Sequence, residues 1–151
     1  MLRPIALATA LCGTLDILLA IFLTLSRGKE IGAMLRYVAS GPFPAASGME
    51  TGGALLGLVV HYALMAIMVA VFVFLASQWP ILLRRPLLSG LGYGLLTYIV
   101  MNLVVVPLRF HPPFPPSGLA ISTQLFAHLI LVGIPTALIA ARFLPATRPL
   151  A

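Results

Sequence analysis

The chain has 151 residues, 61% of them hydrophobic and only 8% charged, with a mean hydropathy of +1.11. A water-soluble domain carries about 25% charged residues, so this composition cannot cover a water-facing surface and requires lipid as solvent. The net charge of +6 would point to nucleic acid in a soluble protein, but here the cations lie between and beside apolar runs. There they serve as topology signals and headgroup anchors, and no basic stripe fit for nucleic acid is present.

The first apolar run, Ile5–Leu25, follows Arg3 as a signal peptide would. It continues for the length of a span with no small-x-small cleavage site, and is read as retained. It holds Asp16 and Cys12, the single cysteine, which excludes an intramolecular disulfide. In the long first loop, residues 26–52, Ile31, Met34, Leu35 and Val38 recur at i, i+3, i+4 and i+7. Lys29, Glu30 and Arg36 take the other faces, so the pattern predicts a short amphipathic helix lying in the membrane interface. Ser40-Gly41-Pro42 ends it, because the residue before proline avoids the helical region.

Glu50 precedes the second run, Gly53–Ala76, which carries His61. A short loop with Arg84-Arg85 leads to the third, Leu87–Val106, with Tyr98 and Asn102. The third loop, residues 109–118, places four prolines in the five positions after His111 and is stiff and extended. The fourth run, Leu119–Phe143, carries Gln124, His128 and Pro135. Pro135 has no N–H and so frees the carbonyl of Leu131 as an acceptor.

Each run is close to the ~20 residues that cross a bilayer. The fold expected is an all-α integral-membrane four-helix bundle, one domain over residues 1–151, with an interfacial helix in its first loop. Four spans put both termini on one side. Arg3, Arg84, Arg85, Arg142 and Arg148 lie on that side, against Arg27, Lys29, Arg36 and Arg109 on the other. The excess favours cytoplasmic termini and a multi-pass inner-membrane location.

Polar groups inside a membrane are costly and are functional candidates by default. At 1.5 Å per residue, Asp16 lies roughly 15 Å and His61 roughly 12 Å from the first-loop face, and Asn102 roughly 8 Å and His128 roughly 14 Å from the third-loop end. All four therefore sort to the half of the membrane under the long loops, or to its midplane. They also continue stripes of small residues: Thr9, Gly13, Asp16 and Ala20; Gly53, Gly57 and His61; Gly90, Gly94, Tyr98 and Asn102; Gln124, His128 and Thr136. Small residues let helices approach closely in lipid, where polar side chains bond across the contact. The ligand- or ion-binding candidates are thus Asp16, His61, Asn102, His128, Tyr98 and Gln124, with Glu50 about three turns above His61.

No metalloprotease, P-loop, dinucleotide or nucleophile-elbow motif is present. Imidazole and carboxylate suit a transition metal, so His61, His128 and Asp16 could form a metal site, and two histidines could hold haem. No specific motif indicates either cofactor. The segments Leu35-Arg36-Tyr37-Val38-Ala39-Ser40-Gly41 and Gly92-Tyr93-Gly94, continuing through Tyr98, Met101-Asn102, Val105 and Pro107-Leu108, resemble uncharacterised small four-span bacterial inner-membrane proteins. The resemblance implies a bacterial membrane location and carries no activity with it.

Three functions fit these features. The first is an ion, proton or small-solute transport module, for which four spans need a homo-oligomer or a larger complex to enclose a path. The second is a structural or accessory subunit of a membrane complex. The third is an intramembrane metal- or haem-binding protein or enzyme.

Overall fold

A computed structural model describes residues 1–145. Arg148, counted among the cations of the terminal face, lies outside the described residues. The four apolar runs form α1 (Leu2–Ser26), α3 (Thr51–Gln78), α4 (Pro86–Phe110) and α5 (Gly118–Phe143), each long and apolar enough to cross a membrane. The periodic segment of the first loop forms α2 (Ile31–Ser40). α4 outlasts the third apolar run by one turn, reaching Phe110, because Pro107 stands at an early position of a fresh turn, where a proline continues a helix. The architecture is an all-α four-helix bundle with leucine, phenylalanine and valine turned outward, among them Leu18, Phe22, Val59 and Phe74. Water would not tolerate so much exposed apolar surface on a monomer.

α4 and α5 share a local feature. Each contains one π-helical segment, residues Ile99–Val105 and Ala127–Gly133. Each segment ends two residues before a proline, Pro107 or Pro135. Proline lacks the N–H that would meet the carbonyl four residues back, and its ring crowds that carbonyl. A wider turn relieves the crowding and offers the carbonyl the next N–H along, which matters where no water can replace it. The wide turns carry Asn102 and His128, so the prolines set the backbone on which two of the polar candidates stand.

α1 packs against α3 and α5, and α5 packs against α4. The dry core is built from Ala8 and Cys12 of α1, Val69, Phe72 and Val73 of α3, and Val132, Ala137 and Ala140 of α5. These residues occupy the half of the bundle nearer the termini. α3 and α4, although consecutive, meet mainly through one side chain. The Tyr93 hydroxyl donates to the Met68 carbonyl at 2.5 Å, and its ring leans on Phe72 at 5.0 Å.

α2, the short amphipathic helix expected in the first loop, is present and packs on the bundle. It crosses the first turns of α3 with backbone contact: a Cβ on Gly57 would collide with the Leu35 backbone, and one on Gly53 would lie 3.1 Å from Arg36 Cγ. Arg36 therefore lays its stem on α3 rather than standing on an outer face. Arg109, at the end of α4, donates from Nε to the Gly41 carbonyl at 2.7 Å and from Nη2 to the Ser40 carbonyl at 2.6 Å. It caps the C-terminus of α2, where unpaired carbonyls and the helix dipole favour a cation. Tyr37 stacks on Phe110 at 4.2 Å beside it. The first and third loops are thereby fastened together on one face of the bundle.

Candidate functional site

The polar contact between α1 and α3 is made possible by Gly13. The Tyr62 ring occupies the space a side chain would need, 2.7 Å from where a Cβ on Gly13 would lie. Its hydroxyl reaches Thr14 Oγ1 at 2.9 Å. One residue earlier on α3, His61 places Nε2 2.9 Å from the Gly13 carbonyl. A carbonyl only accepts, so Nε2 carries the hydrogen. Nδ1 then faces Asp16 Oδ2 at 3.9 Å, with 10% of the His61 side chain and 25% of the Asp16 side chain exposed.

This geometry has a protonation consequence. With Nε2–H committed to the carbonyl, Nδ1 and the carboxylate face each other as two acceptors unless a proton sits on one of them. One proton makes the pair neutral overall, either as imidazolium and carboxylate or as imidazole and carboxylic acid. Losing it leaves an uncompensated carboxylate in a poorly hydrated place, and adding another leaves an uncompensated imidazolium.

His128 stands on the π-helical segment of α5 and is buried, with 8% exposed. Its Nδ1 donates to the Gln124 carbonyl at 3.0 Å, one turn back. The ring meets Tyr98 of α4 edge-on, with centroids 6.0 Å apart. Asp16 lies within electrostatic reach of both His61 and His128. The His128 Nε2 has no hydrogen-bond partner among the described residues, and it is not among the polar atoms sealed from the surface. Three helices thus contribute one ionisable group each to a single cluster.

Not every candidate joins it. Tyr98 meets the His128 ring in a T-shaped contact. Gln124 contributes its backbone carbonyl while its side chain points out and is exposed. Asn102 is half-buried on the wide turn of α4, with no hydrogen bond to another described residue. Glu50 is exposed at the head of α3 and pairs with no described cation. Among the described residues no three His, Cys, Asp or Glu side chains converge to hold a metal ion. His61, His128 and Asp16, the residues a metal site would need, do not form such a group.

Other polar groups emerge only from the packing. Cys12 Sγ lies 3.4 Å from Thr136 Oγ1 and 3.5 Å from the Val132 carbonyl, joining α1 to α5 beneath the cluster. Thr9 Oγ1, one turn further along α1, is buried without a hydrogen-bond partner. Thr14 and Tyr62 gave no signal in the chain beyond proximity to Gly13 and His61. No family model matches the chain, and no curated protein or solved structure does either.

Proposed function

We propose that the chain is a multi-pass protein of the bacterial inner membrane, of the small four-span kind, with cytoplasmic termini, and that its Asp16–His61–His128 cluster handles protons or small cations in transport. The observation that carries this reading is the Asp16–His61 pair, in which an Nε2 donor fixed on the Gly13 carbonyl turns Nδ1 toward the buried carboxylate at 3.9 Å. Intramembrane carboxylate and histidine groups of this kind mark proton and ion pathways. His128, whose Nε2 has no partner among the described residues and which lies within electrostatic reach of Asp16, is the next station for the same charge. Four spans usually need oligomerisation to enclose a path, so the reading includes a homo-oligomer or a larger membrane complex as the working form.

A second reading has an observation of its own. His61 Nε2 and His128 Nδ1 are each satisfied by a carbonyl of this chain, which is all that a structural polar cluster in an accessory subunit needs. One substitution separates the two. Asp16→Asn keeps size and hydrogen bonding but removes the titratable proton. Under the transport reading it abolishes pH-dependent proton or cation flux in liposomes while the protein still folds. A parent chain with neither flux nor bound cation, together with an Asp16→Asn variant of equal or higher thermal stability, would overturn that reading. A gain in stability is the outcome expected where a buried charge no longer needs a partner.

A further inference from the structure

α2 is seated on α3 through Leu35 and Gly57 and touches α1 little. Another of its faces, with Glu30, Ala33, Met34 and Tyr37 at i, i+3, i+4 and i+7, borders a cleft whose opposite side carries Arg27 and Lys29 from the end of α1. The cleft has a volume of about 420 Å³, within the range of about 300–1,000 Å³ found for small-ligand pockets. It opens where the first apolar helix stops, at the level of lipid headgroups.

The turn that carries these charges is fixed by backbone. Gly28 takes the left-handed conformation at φ 65°. Its N–H donates to the Leu25 carbonyl at 2.9 Å, and the Lys29 N–H donates to the Thr24 carbonyl at 3.0 Å. These are the two bonds of a Schellman cap, and they close the end of α1 without a side-chain cation. Arg109 is the contrast, since its guanidinium is spent on capping α2. The side chains of Arg27 and Lys29 make no hydrogen bond or ion pair with a described residue, and neither does Glu30, which starts α2 without capping it. Two cations and one carboxylate thus border one cleft with their bonding capacity unspent. The cations call for an oxyanion such as phosphate, and the open N–H groups at the start of α2 favour the same charge. The carboxylate opposes a simple anion and calls for an ammonium. A ligand carrying both groups satisfies all three side chains, whereas a second carboxylate on it would meet Glu30 with like charge. Ala33, Met34 and the Tyr37 ring supply an apolar wall for its carbon atoms.

We propose that this cleft binds a phosphoethanolamine group, its phosphate at Arg27 and Lys29 and its ammonium at Glu30. The group is the head of a membrane lipid or a free phosphoester, and both present phosphate and ammonium at the same spacing. The site is separate from the Asp16 cluster and does not depend on its role.

The test uses the full chain in detergent and reads bound ligand by native mass spectrometry. One arm offers phosphatidylethanolamine, phosphatidylcholine and phosphatidylglycerol of identical acyl chains. The other offers soluble O-phosphoethanolamine, phosphocholine and glycerol phosphate. The parent is expected to prefer the ethanolamine compound about fivefold, the weight of one charge at a membrane surface. Choline has no N–H to give Glu30, and glycerol has no ammonium. A preference among the lipids assigns the site to a membrane headgroup, and a preference among the soluble esters alone assigns it to a free phosphoester. Glu30→Gln should erase the preference while binding persists. Arg27→Gln combined with Lys29→Gln should weaken binding of all three compounds about twentyfold, two basic residues at about fivefold each. All three side chains are exposed, so thermal unfolding should be unchanged. If the double variant fails to fold, Glu30→Gln alone decides. No preference in either arm, an unaltered preference in Glu30→Gln, or unaltered binding in the folded double variant would each overturn the proposal.

Discussion

The α1–α3 and α4–α5 contacts are made of different material. Between α1 and α3 the contact is made by side chains: the Tyr62 ring on Gly13, Thr14 to Tyr62, and His61 to Gly13 and Asp16. Between α4 and α5 it is made by backbones. A Cβ on Gly90 would lie 2.7 Å from the Gly133 carbonyl, one on Gly94 would lie 2.7 Å from Leu129 Cα, and one on Gly133 would lie 3.0 Å from Gly94 Cα. In lipid, where apolar side chains gain little by leaving the solvent, close backbone approach is a principal source of helix affinity. The backbone contact therefore leaves no room for an added atom at these glycines. The side-chain contact can lose one group and repack, and it is there that the titratable pair sits.

That contrast ranks the expected effects of substitution. Gly94→Leu should be the most damaging, since the new side chain meets backbone that cannot swing aside. Its cost belongs at or above the upper end of the overpacking range of about 1–3 kcal/mol, read as loss of cooperative thermal unfolding in detergent. Full stability of this variant would mean that α4 and α5 are not in backbone contact. Gly57→Leu should cost less, about 1–2 kcal/mol of the same kind. It lifts α2 off α3 while the four spans stay together, and faster protease cleavage of the first loop would report it. An unchanged cleavage rate would show that α2 is held by Arg109 and Phe110 alone. The smallest effect belongs to Tyr62→Phe, which removes one interhelical hydrogen bond worth about 0.6 kcal/mol in a membrane bundle. Should it destabilise as much as Gly94→Leu, the ranking of side-chain against backbone contacts would be reversed.

Much of the fold was legible along the chain. The four spans begin and end within a few residues of where the apolar runs do, because length and hydropathy answer to the bilayer and not to any partner. The helix over Ile31–Ser40 was legible for a similarly local reason, its spacing of Ile31, Met34, Leu35 and Val38. Its neighbour was not. Gly53 and Gly57 read as a stripe for close helix approach, and it is α2 that they receive, since a small residue announces close approach without naming what approaches. Arg109 read as a topology charge and is a helix cap. Pro135 announced a lost hydrogen bond, but that both α4 and α5 form a wide turn before a proline depends on the packing around them.

The candidate residues divide along the same line. Depth in a span is arithmetic on residue number, and it grouped Asp16, His61, Asn102 and His128 in the half under the loops. Rotation about the helix axis is not available from depth. The wide turn shifts the helical phase near Asn102, which has no hydrogen-bond partner among the described residues, while His128 is turned inward against Tyr98. Glu50, three turns above His61, stays outside because it precedes the helix and faces solvent. Cys12 with Thr136, 124 positions apart, could be paired only by the fold.

Composition and hydropathy were sufficient to establish an all-helical chain with four stretches able to cross a membrane, since those properties are set by the solvent the chain must satisfy. Which faces meet, which nitrogen of His61 is committed to a carbonyl, and where α3 and α4 fail to close required three dimensions. Each depends on the relative rotation and separation of helices distant in sequence, at a scale of tenths of an ångström that residue spacing does not encode.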